Sequence, residues 1–278
     1  MGSIQNLVYG SSGLIGSSFL KINKNKKNFI FFSKKKRKFF KYQNLDNKIN
    51  FKENKNKKNI FFFASPSFIK KNYKKKILIK EYLWIKKIIS IFKIYKLIYI
   101  SSPSIFYKNS LIGDIKKKCE NYIIKNKKKF SFFQIWRPYN LVGVSRKLSD
   151  HFHNETLKIM FLKKKKFHTF YGSKDDKRGY SRVDDFVKIL NKYSKLNKSF
   201  IKNYGNRSTI TTSEIIDIYN KKYIKKFNFK FKAKFSSKKA NISRIKLNKN
   251  YVYSSISSKK IIKNYLDNFL NEKKMQYM

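Results

Sequence analysis

The chain has 278 residues, 41% hydrophobic and 17% aromatic, which excludes a disordered polyelectrolyte and leaves room for one large domain or two coupled ones. No apolar run is long enough for a membrane span, the N-terminus lacks the organisation of a signal peptide, and the lone Cys119 excludes an internal disulfide, which fits a reducing, cytoplasmic setting. The formal net charge of +53 invites a nucleic-acid reading, yet only seven of the 68 basic residues are arginine and only three residues are alanine, which is the bias of an AT-rich genome.

In chain order, "NLVYG" (6–10) predicts a first buried strand, followed by a glycine turn and a helix to about Ile22. "NFIFFS" (28–33) and "NIFFFAS" (59–65) predict the next strands, and a helical stretch follows to about Phe92. "KLIYISS" (96–102) reads as strand, "KKKCENYIIKN" (116–126) as helix and "FSFFQIWRP" (130–138) as strand. Short apolar strands alternating with helical stretches predict an α/β fold with a doubly wound, Rossmann-type parallel sheet over 1–138. Beyond Pro138 the pattern changes: 139–185 reads as irregular, 185–200 and 213–226 as helical. The lysine-rich tail from 227 has "NYVYSSIS" as its only clear apolar patch. Residues 139–278 are therefore expected to form a smaller, mixed substrate-binding region interleaved with the first.

Gly10, Gly13 and Gly16 stand three apart in a chain with nine glycines, between the first strand and the first helix. A dinucleotide-binding turn needs them there: one for the tight turn, one for close backbone approach to a pyrophosphate, one for packing helix on strand. The N–H groups that open such a helix suit phosphate. Gly10, Ser11, Ser12, Gly13, Leu14, Ile15 and Gly16 are thus candidate cofactor contacts, with a tight turn without ligand as the alternative. The second strand ends at Ser33 and is followed by Lys34, Lys35, Lys36 and Arg37, with no carboxylate for a ribose 2′-hydroxyl. Basic residues there suit a 2′-phosphate, so NADP is favoured over NAD, with Ser33 and Arg37 as contacts.

Several segments in order resemble the extended short-chain dehydrogenase/reductase family, the NAD(P)-dependent epimerases and dehydratases of nucleotide sugars. "VYGSSGLIG" is similar to its glycine turn, "NIFFFAS" to its fourth strand, with Ala64 by the cofactor, and "YISSPSIFY" (99–107) to its "SS…VY" strand end. "GDIKKKCE" (113–120) resembles "YGxSKxxxE", "WRPYNLVG" (136–143) resembles "LRPxNVYG", and "KRGYSRVDDFVKIL" (177–190) resembles "RDxxxVDDxxxA". The weaker "NYGNRSTITTSEIIDI" (203–218) extends the match.

The resemblance implies hydride transfer between a nicotinamide and a nucleotide-linked sugar. A tyrosine would act as acid/base, with a lysine four residues on at the nicotinamide ribose and an upstream Ser or Thr. Lys116 matches the lysine and Glu120 the acid after it, but Ile112 stands at the tyrosine position and Pro103 at the Ser/Thr position. Tyr107, Ser102 or Ser104 could supply the missing hydroxyl. Arg178 matches an arginine that binds the substrate pyrophosphate, with an ion pair to Asp184 or Asp185 as the alternative. Asn140 matches an asparagine near substrate, with a turn residue as the alternative.

His151 and His153 do not make a metal site, because further ligands are lacking and the other histidine is His168. The resemblance carries a homodimer as an expectation. Two further readings remain: a dinucleotide-binding homologue lacking the active-site tyrosine, with altered or no catalysis, and a basic nucleic-acid-binding protein. No specific nucleic-acid partner is expected, although the charge predicts salt-dependent adhesion to polyanions.

Overall fold

The computed structural model describes residues 4–33, 41–42, 45–46, 56–65, 75–108, 110–143, 152–237 and 250–275. The chain begins with β1 (Gln5–Tyr9), α1 (Leu14–Asn23), β2 (Phe29–Ser33), β3 (Lys41–Tyr42), β4 (Lys58–Phe62) and α2 (Lys75–Ile91). It continues with β5 (Ile94–Ile100), a 3-10 turn at Pro103–Phe106, α3 (Leu111–Lys125), β6 (Phe130–Pro138) and β7 (Leu141–Val142). Then come α4 (Phe152–Leu157), a π-helical turn at Lys158–Leu162, β8 (Phe167–Phe170), β9 (Lys177–Arg178), β10 (Ser181–Arg182) and α5 (Val183–Ser194). The last elements are β11 (Phe200–Gly205), β12 (Ile210–Thr211), α6 (Thr212–Phe227), β13 (Lys232–Phe235), β14 (Tyr251–Tyr253) and α7 (Ser258–Met275).

Two compact units form: 1–138 with 183–204, and 139–182 with 205–278. In the first unit seven strands run parallel in the order β11-β6-β5-β4-β1-β2-β3. Such a sheet is covered on both faces, so its strands are apolar runs rather than alternating ones. Leu7 sits between Ile30 and Ile60 in register, and Val8 between Phe31 and Phe61. The chain winds outward in one direction from β1 to β2 and in the other from β1 to β4, which makes the β1/β4 boundary the topological switch point.

Residues 183–204 belong with the first unit because β6 needs a partner and cover. β11 supplies the parallel partner, and Trp136 meets Phe186, Tyr193 and Phe200 edge-on at 5.9, 5.4 and 5.4 Å. Lys96 Nζ donates to the Ser194 carbonyl at 2.7 Å and Gln134 Nε2 to that of Tyr193 at 2.9 Å, pinning the end of α5 beneath the sheet.

The second unit is held by short ladders, β7 with β10, β8 with β13 and β9 with β12, around Phe170, Tyr180, Tyr219, Phe231 and Leu266. The described residues of 139–185 are thus more regular than the sequence predicts. The tail carries a whole helix, α7, whose Ile261, Ile262, Tyr265 and Leu266 are buried on one face, and Tyr265 Oη donates to Asn154 Oδ1 at 2.8 Å. A narrow apolar stripe among lysines and asparagines hid it.

Helix α6 begins in a capping box: the Glu214 N–H reaches Thr211 Oγ1 at 3.1 Å while the Thr211 N–H reaches the Glu214 carboxylate at 2.8 Å. The backbone hydrogen bond from Thr211 holds the Glu214 pKa below its ordinary value. A depressed carboxyl pKa contributes stability above the unfolded value and loses it as pH falls through the folded one. The melting-temperature gap between wild type and Glu214→Gln is therefore expected to be open at neutral pH and to close as the pH drops below about 4. Thermal melts at stepped pH measure it; a gap that persists in acid contradicts this.

Candidate functional site

At the end of β1 the backbone of Gly10 takes φ +83°, and a Cβ there would lie 2.5 Å from the Ala64 nitrogen. The glycine turn and the end of β4 are thus in direct contact at the switch point. At Gly16 a Cβ would overlap the Gly10 carbonyl and lie 2.6 Å from Ser11 Cα, so only glycine lets α1 close onto the turn. Ser11 is buried, donating its hydroxyl to the Val8 carbonyl at 2.9 Å, whereas Ser12 and Gly13 are exposed. Leu14 and Ile15 are half-buried, and Ser33 is buried at the end of β2. Arg37, and Lys34 to Lys36 with it, lie outside the described residues.

The start of α1 differs from those of α3 and α6. α3 is capped by the Ser110 hydroxyl and α6 by Thr211, but the N-cap of α1 is Gly13, with no side-chain cap and no acidic residue in the first turn. The opening N–H groups of a helix need acceptors, and their partial positive charge favours an anion. A Cβ at Gly13 would meet only the Gly10 carbonyl oxygen, at 3.4 Å, among the described residues. An exposed, uncapped helix start at the switch point fits the pyrophosphate of a dinucleotide.

Two strands along the same edge of the sheet lies a buried charge cluster. Lys116 Nζ donates to Glu81 Oε1 at 2.7 Å and to the Ile100 carbonyl, at the end of β5, at 2.9 Å. The two side chains are 8% and 2% exposed. Tyr99 Oη donates to the same Glu81 oxygen at 2.8 Å, and Ser65 Oγ, just past β4, donates to the other at 2.9 Å. Burial first, and the Glu81 charge second, push the Tyr99 phenol well above its ordinary pKa. Burial likewise pushes the Cys119 thiol up to about 12, with the negative charge of Glu81 adding to it. Cys119 is therefore expected to resist iodoacetamide at neutral pH until the protein unfolds. Mass spectrometry of native and denatured samples reads this out; fast labelling of native protein contradicts it.

Sequence reasoning missed Glu81 and Tyr99. The signal was present: Leu78, Glu81, Ile85 and Ile88 share one helical face, and Glu81 is the one carboxylate in α2. A lone carboxylate in a buried stripe needs a partner.

Of the predicted proton-handling groups, Ile112 packs against the first unit's core. Pro103 opens the 3-10 turn, whose N-cap is Ser102; the Ser102 hydroxyl accepts from the Ser104 N–H at 3.2 Å and from the Ser104 hydroxyl at 2.9 Å. Tyr107 is half-exposed at the end of that turn. Glu120 is engaged by Arg137, whose Nε and terminal nitrogen donate to the two carboxylate oxygens at 2.9 and 2.5 Å.

In the second unit, Asn140 has φ +33° and donates its amide to the Gly179 carbonyl at 3.0 Å, as a turn residue would. Arg178 lies 3.9 Å from Asp176, with its guanidinium 5.7 Å from the centre of the Phe152 ring. His153 is buried edge-on to Tyr180 and Tyr265, His151 lies outside the described residues, and no cluster able to hold a metal occurs among the described residues.

No family model and no curated protein matches the sequence. Solved structures do match over nearly the whole chain. A UDP-galactose 4-epimerase superposes with a TM-score of 0.72 at 15% identity, covering 97% of this chain and 99% of that one. A UDP-glucuronic acid 4-epimerase from Bacillus cereus, in complex with NAD, gives 0.70 at 16% identity, with 96% and 99% covered. RMD from Pseudomonas aeruginosa, complexed with NADPH, gives 0.68 at 12% identity, with 97% and 98% covered. The chain has the fold of these proteins. That likeness accords with the sequence resemblance to the extended short-chain dehydrogenase/reductase fold. No described helix is long and apolar enough to cross a membrane.

Proposed function

We propose that the chain is an NAD(P)-dependent epimerase, dehydratase or reductase acting on a nucleotide-linked sugar. The carrying observation is the uncapped start of α1 at the switch point, where the anion-favouring end of a helix stands open just past the Gly10 turn that abuts Ala64. Of the three structures named above, two are in complex with NAD or NADPH and two are nucleotide-sugar 4-epimerases. The turn Gly10–Gly16 would hold the pyrophosphate, and Lys116 would lie under the nicotinamide half. Ser33 and the basic residues after it favour NADP. The bound nicotinamide would supply hydride acceptance and return. Ser102 and Tyr107 are the hydroxyls this chain offers for the sugar proton, and Arg178 and Asn140 the residues it offers to the substrate. A cytoplasmic homodimer without a specific nucleic-acid partner completes the reading.

One observation favours a second reading, binding with altered or no catalysis: position 112, a helical turn before Lys116, is a partly buried isoleucine packed against the core. A panel of nucleotide sugars, followed by absorbance of the reduced nicotinamide and by sugar analysis, separates the two. Turnover that Tyr107→Phe or Ser102→Ala lowers by about tenfold or more supports catalysis through these hydroxyls. Dinucleotide binding with no turnover, relieved by Ile112→Tyr, establishes the second reading.

A further inference from the structure

Glu81, on α2, is bonded to groups at the ends of β4 and β5 and to Lys116, with nothing in the proposed chemistry to explain it. A carboxylate 2% exposed, held by Lys116, Tyr99 and Ser65 together, is a fixed charge in a low-dielectric place. Its position follows from the sheet. Ser65 leaves β4 next to the glycine turn, and the Ile100 carbonyl that receives Lys116 ends β5, the next strand outward. A dinucleotide whose phosphates rest on α1 crosses the switch point, so its second mononucleotide lies over the β4–β5 side. On the reading given above, that second half is the nicotinamide.

The oxidised nicotinamide ring carries one positive charge and the reduced ring none. An uncompensated lysine beneath the ring therefore favours the reduced form, because like charges repel. A carboxylate 2.7 Å from that lysine removes the bias. We propose that Glu81 is the counter-ion of the cofactor site, cancelling the Lys116 charge under the nicotinamide so that the oxidised dinucleotide is retained. The inference rests on the dinucleotide reading. It makes Glu81 a positioning and charge-setting residue that acts through Lys116.

The test is the ratio of dissociation constants for NADP+ and NADPH, and for NAD+ and NADH, measured by calorimetry and nucleotide fluorescence at moderate salt. Glu81→Gln keeps the hydrogen-bonding shape and leaves Lys116 charged, so the ratio moves toward the reduced form by about tenfold. Glu81→Gln combined with Lys116→Met is neutral again, and its ratio returns to within about threefold of wild type. Lys116→Gln leaves the carboxylate held by Tyr99 and Ser65 and moves the ratio the opposite way. If Glu81→Gln does not fold, that opposite shift decides alone. Effects on overall affinity cancel in the ratio, so a merely structural Glu81 would not move it. Binding of both forms by the variants with the wild-type ratio overturns the counter-ion role alone. No saturable binding of any form by wild type overturns the dinucleotide reading, and this inference with it.

Discussion

Gly13→Ala is expected to leave the protein folded while weakening dinucleotide binding by about tenfold or more, about 1.4 kcal/mol. The two consequences separate because the three glycines meet different surroundings. At Gly10 the left-handed φ and the Ala64 backbone leave no room for a side chain. Gly10→Ala thus costs several kcal/mol, about 1–3 for the backbone and a similar amount for displaced neighbours. Gly13 has φ −78° and ψ 176°, which any residue adopts, and the space around it is open apart from the Gly10 carbonyl. Alanine there costs a few tenths to about 1 kcal/mol as an N-cap. The added methyl instead occupies the exposed side, where a pyrophosphate must come within hydrogen-bonding distance of the α1 N–H groups. Melting temperature and calorimetric affinity, measured on the same sample, separate the effects. An unchanged affinity in Gly13→Ala means that phosphate does not rest on this turn.

Arg137→Met is expected to be strongly destabilising, at about 3–5 kcal/mol. Glu120 is 4% exposed, and both its oxygens are taken by the Arg137 guanidinium, which also lies 5.1 Å from the centre of the Phe106 ring. Methionine fills much of the arginine's volume but strands a buried carboxylate. The pair joins α3 to β6, so its loss reaches both the sheet and the helix that carries Lys116. At about 2–4 °C per kcal/mol for a protein of this size, the melting temperature falls by about 10 °C. Arg137→Met with Glu120→Leu removes both charges and is expected to recover most of the loss, because two apolar neighbours carry no desolvation cost. Equal melting temperatures for the single and double variants contradict this account.

The same pair shows how much of the site the sequence carried. Glu120 and Arg137 were both visible as members of similar motifs, yet neither motif names the other, and only the fold reveals one contact. The turn at Gly10–Gly16 was legible because its chemistry is local: a strand, three glycines and a helix within a dozen residues. β6 and β5 were legible as long apolar runs. β3, with two residues, has no period to read, and β11 was hidden behind the helix that precedes it. Glu81 lies 35 residues from Lys116, so their pairing depends on α2 and α3 packing together, which no spacing rule expresses. The composition added its own obscurity. With lysine on nearly every surface, composition does not set Lys116 apart; the similar motif marked its position, but only the fold reveals its burial and its carboxylate partner.

The most direct measurement is a titration of the purified protein with NADPH, NADH, NADP+ and NAD+ by calorimetry at about 0.3 M salt, where contacts made only by the +53 charge weaken steeply. Wild type is predicted to show saturable binding at one site per chain and Gly13→Ala to bind about tenfold or more weakly while still folded. Heats that vanish with salt and are equal in the two proteins would contradict a dinucleotide site at the glycine turn.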